Sequence, residues 1–210
     1  MKKFLLPLKM LGVTFAIIYL TFCPILNTAL VDAMLFHPDE EIDTSKLATL
    51  AGVSGQEVTL SNGLTAWLYK VPHSKFIVLF SHGNAGNLGG RVLKVKRLLR
   101  CGQSVLIWDY PGFGHSSGTA TLKNIAHDAV SVYDYLTGLG YSQDQIVLYG
   151  ESVGSGVSAE LAKQRKVRAI IVDEGFTSLP EIARERFPIF RFYPDFLLPV
   201  ACMNVREAIH

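Results

Sequence analysis

Short apolar runs alternate with longer amphipathic segments along the chain from residue 56 onward. Runs rich in Val, Ile and Leu predict strands near residues 56–60, 64–70, 76–81, 104–108, 146–149 and 168–172. Segments with helical period predict helices near 88–101, 122–138, 155–164 and 178–186. This alternation is typical of an α/β fold in which helices cover both faces of a mostly parallel sheet.

The first two predicted strands differ from the others because only a short turn separates them. They flank Ser61-Asn62-Gly63, and an Asn-Gly pair tolerates the positive φ angles of a tight turn. We therefore expect an antiparallel hairpin at the start of the sheet.

A second pattern precedes the sheet, since Met10–Val31 contains no charged residue. At about 1.5 Å per residue, a helix of this length reaches about 33 Å, enough to cross a bilayer core. Lysines precede the run and acidic residues follow it, which predicts a single-pass membrane helix with the N-terminus in the cytoplasm and the domain on the outer side. A signal peptide cleaved near Ala33, followed by secretion, is the alternative. The expected division is an anchor or signal at 1–33 and a domain at 34–210.

Composition narrows the class of protein. The chain has 210 residues, 49% of them apolar and 18% charged, which indicates one compact domain. A net charge of +2 gives no reason to expect a nucleic-acid partner. Cys23, Cys101 and Cys202 are too few and too scattered for a disulfide framework or a zinc site, and neither a metal nor a cofactor is expected.

Two segments match the G-x-S-x-G pattern that displays a nucleophilic serine on a sharp turn between a strand and a helix. Residues 150–154 directly follow the strand at 146–149 and precede small residues that can open a helix. The other match, at 114–118, lies in a loop interrupted by Pro111 and Gly112. Ser152 is therefore the candidate nucleophile, and Ser116 is interpreted as loop structure.

Acyl transfer to a serine also requires donors for the developing oxyanion. The Val153 amide, directly after the nucleophile, is one expected donor. The second is expected from the glycine-bearing loop at 81–87, from Asn84 in preference to Ala85. His82 in this loop is interpreted as a structural histidine rather than a general base. The loop lacks the lysine and hydroxyl of a phosphate-binding loop.

Three motifs in this order resemble those of the α/β-hydrolase superfamily: Ser-His-Gly-Asn-Ala-Gly-Asn at 81–87, Asp-Tyr-Pro-Gly-Phe-Gly at 109–114 and Gly-Glu-Ser-Val-Gly at 150–154. His37-Pro38 and the segment 174–179 are similar to its branch of single-span, membrane-anchored serine hydrolases. The resemblance implies hydrolysis of an ester, thioester or amide through an acyl-enzyme on Ser152. It implies a structural place for Asp109, without a catalytic role.

The resemblance is incomplete at its end. In that superfamily an acid and then a histidine follow the nucleophile, but His210, the last residue, is the only histidine after Ser152. The acid and base are therefore unassigned. Asp173 and Glu174 are interpreted as structural, and the histidines at 37, 73, 115 and 127 as surface or loop residues.

The apolar strand near 168–172 is expected at the sheet edge, with the last strands of the fold missing, as in a truncated or split hydrolase. The function expected is that of a serine hydrolase acting on a small-molecule or acyl substrate. The alternatives are a non-catalytic remnant or binding module, and a structural protein of a lipid surface. An aromatic segment at 187–198 is either a lid over the pocket or ordinary packing.

Overall fold

A computed structural model of the protein describes residues 2–198 together with Met203 and Val205. Two residues considered above, Cys202 and His210, lie outside the described residues. The α-helices in the described part of the chain are Lys2–Thr21 (α1), Thr28–Leu35 (α2), Val92–Arg100 (α3), Leu122–Gly138 (α4), Val153–Gln164 (α5) and Leu179–Arg186 (α6). The strands are His37–Pro38 (β1), Gly55–Thr59 (β2), Thr65–Tyr69 (β3), Ile77–Ser81 (β4), Ala85–Gly86 (β5), Ser104–Trp108 (β6), Ile146–Glu151 (β7) and Ala169–Asp173 (β8).

The main sheet has the strand order β2-β3-β6-β4-β7-β8. Its last four strands are parallel to one another, and β3 is antiparallel to both β2 and β6. Strands β2 and β3 form the predicted hairpin, in which Thr59 lies opposite Thr65. All six strands of this sheet lie where the apolar runs predict them.

Helices cover both faces of the sheet, because successive side chains of a strand point to opposite faces. On β4, Ile77 and Leu79 join the core cluster that also contains residues of α4 and α5. Val78 and Phe80 join a second cluster with Val95 of α3. The strands β3, β4 and β6 are buried along their whole length. This explains why they read as nearly continuous apolar runs.

The N-terminal apolar run is divided between two helices. Helix α1 ends at Thr21, Pro24 lies in the turn that follows, and α2 begins after Asn27, whose side chain accepts a hydrogen bond from the Leu30 amide at 3.2 Å. Proline lacks the N–H donor that a continuing helix needs, and asparagine is a favourable N-cap residue. The predicted continuous span from Met10 to Val31 is therefore not supported. Within residues 2–198, the structure contains no helix with the length and apolar character needed to cross a bilayer.

Helix α2 packs onto the core of the domain instead of extending away from it. Val31 and Leu35 contact the main core cluster, and the carboxylate of Asp32 accepts a hydrogen bond of 2.9 Å from the Leu122 amide at the start of α4. Burial raises the pKa of this carboxyl. The domain division at residue 33 stays a prediction.

Strand β8 lies at the edge of the described sheet, as expected, with β7 as its neighbour. Ile171 and Val172 are 41% and 40% exposed there.

Candidate functional site

Ser152 lies on the sharp turn between β7 and α5. Its backbone has φ 51° and ψ −116°, a conformation that side-chain-bearing residues rarely adopt and that costs about 1–3 kcal/mol. The Ser152 amide donates a 2.9 Å hydrogen bond to the Asp173 carbonyl at the end of β8. Such a conformation persists only where the surrounding structure holds it, which makes the turn a candidate functional site.

The two glycines of the motif are required by close contacts. A Cβ atom at Gly154 would overlap the Ser81 carbonyl at the end of β4, and one at Gly150 would overlap the backbone of Ser155. Helix α5 therefore packs directly against the strand ends. It begins at Val153, two residues before the predicted start, so the Val153 amide has no intrahelical acceptor.

The second motif match forms no such turn. Ser116 is buried, its hydroxyl accepts a hydrogen bond of 2.8 Å from the Thr65 amide, and it donates one of 2.8 Å to the Asp109 carbonyl. The structure thus places Ser116 in the loop packing, as predicted.

The predicted oxyanion residues share one cavity with Ser152. Asn84, Ala85 and Val153 line it together with the serine. The side-chain amide of Asn84 donates to the Leu35 carbonyl at 2.7 Å, and its own carbonyl accepts from the His37 amide at 2.8 Å. Among the described residues, neither the Asn84 nor the Val153 main-chain amide has an acceptor of its own. Both N–H groups are therefore available to a ligand.

The cavity has a volume of about 600 Å³ and mostly apolar walls. One wall comes from the N-terminal segment and includes Val31, Met34 and Leu35; the other comes from α6 and the aromatic segment after it and includes Ile182, Phe187 and Phe190. Phe190 also packs in a small core with Cys23, Tyr193 and Leu198. The aromatic segment is thus both a cavity wall and packing for the N-terminal segment.

His82 belongs to the loop at 81–87, called the oxyanion loop here after its predicted donor, but does not line the cavity. It is fully buried, with its Nε2 atom 3.1 Å from Asp109 Oδ1 and its Nδ1 atom 2.7 Å from the Gly83 carbonyl oxygen. Asp109 also accepts a 2.7 Å hydrogen bond from the Leu88 amide. The Tyr110 hydroxyl donates to the His82 carbonyl, and burial raises the pKa of that tyrosine well above its usual value. These contacts give His82 and Asp109 the structural roles expected of them.

Sequence reasoning did not place His37 and Glu174 at the site, yet both line the cavity with Ser152. Glu174 has φ 52° and directly follows β8, as Ser152 follows β7. The position of Glu174 directly after a parallel strand could have predicted its place at the site, because ligands of α/β sheets bind at the carboxyl ends of the strands. His37 reaches the cavity through the short parallel pairing of β1 with β5, which no local pattern reveals. Within the described residues, no group of His, Cys, Asp or Glu side chains is arranged to hold a metal ion.

Comparisons with known proteins agree with this geometry. The family model described as the alpha/beta hydrolase fold matches residues 77–198, more than half of the chain. The chain is 33% identical over 148 residues to a lysophosphatidylserine lipase, ABHD12, of Macaca fascicularis, covering 64% of this chain and 37% of that protein. It is 28% identical over 186 residues to the alpha/beta hydrolase domain-containing protein aho-3 of Caenorhabditis elegans, covering 77% of this chain and 55% of that protein. The matched part is thus well under two thirds of these relatives.

Solved structures show the same fold. An alpha-beta hydrolase from Vibrio vulnificus superposes with a TM-score of 0.60 at 18% identity, covering 75% of this chain and 59% of that one. The Pyrococcus furiosus esterase Pf2001 superposes with a TM-score of 0.55 at 19% identity, covering 78% and 64%. These structures share the fold, and the match of the family model over residues 77–198 shows that the chain belongs to the α/β-hydrolase family.

Proposed function

We propose that the protein is a serine hydrolase that cleaves acyl esters, thioesters or amides through an acyl-enzyme on Ser152. The observation that carries the proposal is the shared cavity of Ser152, on its strained turn, and the free amides of Asn84 and Val153. Donors that face the position where negative charge develops are often the largest contribution to catalysis of acyl transfer.

In the proposed reaction, Ser152 Oγ forms a bond to the acyl carbon, and the carbonyl oxygen becomes an oxyanion that accepts from the two amides. Collapse of this intermediate breaks the bond to the leaving group, which departs with the proton of the serine. Water then hydrolyses the acyl-enzyme and regenerates Ser152.

Mass mapping after treatment with an alkyl fluorophosphonate tests the nucleophile. The reagent forms a bond from phosphorus to a nucleophilic oxygen and releases fluoride, and we expect the adduct on Ser152. A structure of the adduct should place the phosphonyl oxygen about 2.7–3.1 Å from both amide nitrogens. An adduct on another residue, or an oxygen pointing away from both amides, would contradict the assignment.

The walls of the cavity favour a substrate with an acyl chain. They are mostly apolar, while the polar groups that line the cavity are confined to a few side chains, His37, Asn84, Ser152, Glu174 and Arg186. The ABHD12 relatives are named as lipases of lysophosphatidylserine, a lipid with a single acyl chain. We therefore propose an acyl lipid of this kind as the substrate class.

A bulky residue in the apolar wall should shorten the preferred acyl chain. Ala183 of α6 lies in this wall. Ala183→Phe should lower the ratio of the phosphonylation rate with octyl fluorophosphonate to that with ethyl fluorophosphonate by about 10-fold. The reason is that roughly two methylenes of the octyl chain lose their burial, at about 0.8 kcal/mol each. Glu185→Phe adds the same ring at an exposed position of α6 and should leave the ratio unchanged. Equal ratios for both variants would exclude this wall as the acyl site.

The second part of the proposal concerns the membrane. From Met10 onward, where the side chains of α1 are described, seven apolar residues are between 48% and 67% exposed: Met10, Leu11, Val13, Phe15, Ile17, Ile18 and Leu20. Large exposed apolar surfaces mark interaction sites, and the lysines at 2, 3 and 9 complement anionic lipid headgroups. We propose that this helix binds a lipid bilayer. The side of the membrane on which the domain lies stays a prediction.

Replacing Leu11, Phe15 and Ile18 with serine should reduce co-sedimentation with phosphatidylglycerol vesicles by about 10-fold or more, because each side chain loses roughly 1.5–3 kcal/mol of burial in lipid. Leu93→Ser serves as the control, since Leu93 is 72% exposed on α3. Unchanged sedimentation of the triple variant would contradict a role of α1 in membrane binding.

A further inference from the structure

Four charged side chains and a tyrosine form a connected cluster beside the candidate site, outside the lining of the cavity. Its members are Arg91, Lys94, Tyr149, Glu151 and Asp173. They come from three places: the segment before and within α3, the end of β7 and the end of β8. Two of these places adjoin the candidate site, since Ser152 follows β7 and Glu174 follows β8.

Arg91 joins the oxyanion loop to the nucleophile turn. Its Nη1 atom donates to the carbonyls of Ala85 at 2.7 Å and Asn87 at 3.2 Å. Its Nη2 atom lies 3.3 Å from Oε1 of Glu151, the residue before Ser152. The Arg91 and Glu151 side chains are only 14% and 13% exposed, so water screens their pairing less than that of a surface pair.

Lys94 joins the nucleophile turn to the end of β8. Its ammonium lies 3.2 Å from Glu151 Oε2 and 2.7 Å from Asp173 Oδ2, and the Tyr149 hydroxyl donates to the same Asp173 oxygen. Asp173 is also the residue whose carbonyl accepts the Ser152 amide at 2.9 Å. The cluster therefore adjoins Ser152 at two points: through Glu151, which precedes it in the chain, and through Asp173, whose carbonyl accepts its amide.

The pKa shifts of Asp173 and Lys94 favour the ionised form of both groups. The hydrogen bonds from Lys94 and then Tyr149 lower the pKa of the Asp173 carboxyl. Burial lowers the pKa of Lys94, but the hydrogen bond to Asp173 and the charge of Glu151 outweigh it, so the net shift is upward.

We propose that Arg91 and Lys94 are positioning residues that set the separation between the Ser152 hydroxyl and the Asn84 amide of the oxyanion loop. The inference rests on the proposed function. Catalytic groups must be held to about 0.5 Å, and a strained turn needs neighbours that hold its conformation. Charge-assisted hydrogen bonds to backbone carbonyls on one side and carboxylates on the other supply this restraint.

The test compares Arg91→Met, Arg91→Lys and the wild type by the rate constant of phosphonylation. Arg91→Met should react about 10-fold to 100-fold more slowly, with a melting temperature close to that of the wild type. Arg91→Lys should recover only part of the rate, because a lysine is a point charge and lacks the fork that reaches two carbonyls and a carboxylate together. The control is Arg100→Met, on the exposed end of α3.

A double-mutant cycle separates positioning from general stability. If Arg91 acts through Glu151, the variant that combines Arg91→Met with Glu151→Gln should react about as slowly as Arg91→Met alone. Additive losses, or an Arg91→Met rate equal to the wild type, would overturn the proposal. A rate loss that only follows a lower melting temperature would overturn it as well.

Amide hydrogen exchange decides the inference independently of the chemistry. Arg91→Met should speed exchange in peptides covering both 83–87 and 150–154, and Arg100→Met should not. If the wild type shows no labelling on Ser152, the proposed function fails. The amide exchange rates of the Arg91→Met variant then test the positioning role by themselves. Unchanged exchange in the two segments then overturns it, and faster exchange in both supports it.

Discussion

Replacing Ser152 with alanine should reduce phosphonylation of the protein by at least about 1,000-fold, because the reacting oxygen is removed from the turn. Ser152 lines the cavity together with Asn84 and Val153, whose main-chain amides are the proposed oxyanion donors. The measurement is the rate of adduct formation by intact mass, with circular dichroism to show that the fold is retained.

Ser116→Ala is the matched control, since it alters the other G-x-S-x-G segment. It removes two buried hydrogen bonds, to Thr65 and Asp109, and should lower the free energy of unfolding by about 1–3 kcal/mol. Its phosphonylation rate should stay near that of the wild type. Equal labelling of wild type and Ser152→Ala, or no labelling of well-folded wild type, would instead favour a non-catalytic member of the family.

Gly154→Ala should lower the free energy of unfolding by about 3 kcal/mol or more, since a methyl group there would overlap the Ser81 carbonyl. To admit it, α5 must move away from the end of β4, and the turn at Ser152 moves with it. A loss of this size is a large fraction of the roughly 5–15 kcal/mol by which domains are stable. Urea denaturation followed by circular dichroism measures it.

Gly138→Ala provides the comparison for this variant. Gly138 is the last residue of α4, and a Cβ atom there meets nothing within 4 Å. Alanine should therefore leave stability unchanged or raise it by up to about 1 kcal/mol. Similar denaturation midpoints for both glycine variants would show that the packing of α5 against β4 is looser than the structure indicates.

The strands of the sheet could be predicted because burial on both faces leaves a direct mark on the sequence. Five consecutive buried residues in β4 and in β6 read as apolar runs, and the hairpin is marked by its Asn-Gly turn. The start of α5 was predicted two residues late, because Val153 and Gly154 follow a strained residue and carry no local start signal.

The N-terminal segment shows where such reasoning fails. An uncharged run of 22 residues, 10–31, fits a membrane span by composition alone. In the structure it is divided around Pro24, and its second part packs on the core and forms a wall of the cavity. The choice between lipid and protein as a partner for Val31 and Leu35 depends on distant residues, so the local pattern could not make it.

Local chemistry in the sequence determined the positions of the strands, the hairpin and the strand-to-helix turn at Ser152, because these depend on neighbours along the chain. Only the tertiary structure decided which side chains meet at that turn. His37, Glu174 and the ion cluster of Arg91, Lys94 and Asp173 come from segments far apart in sequence. The parallel strands bring their ends to one edge of the sheet, and it is this convergence that forms the site.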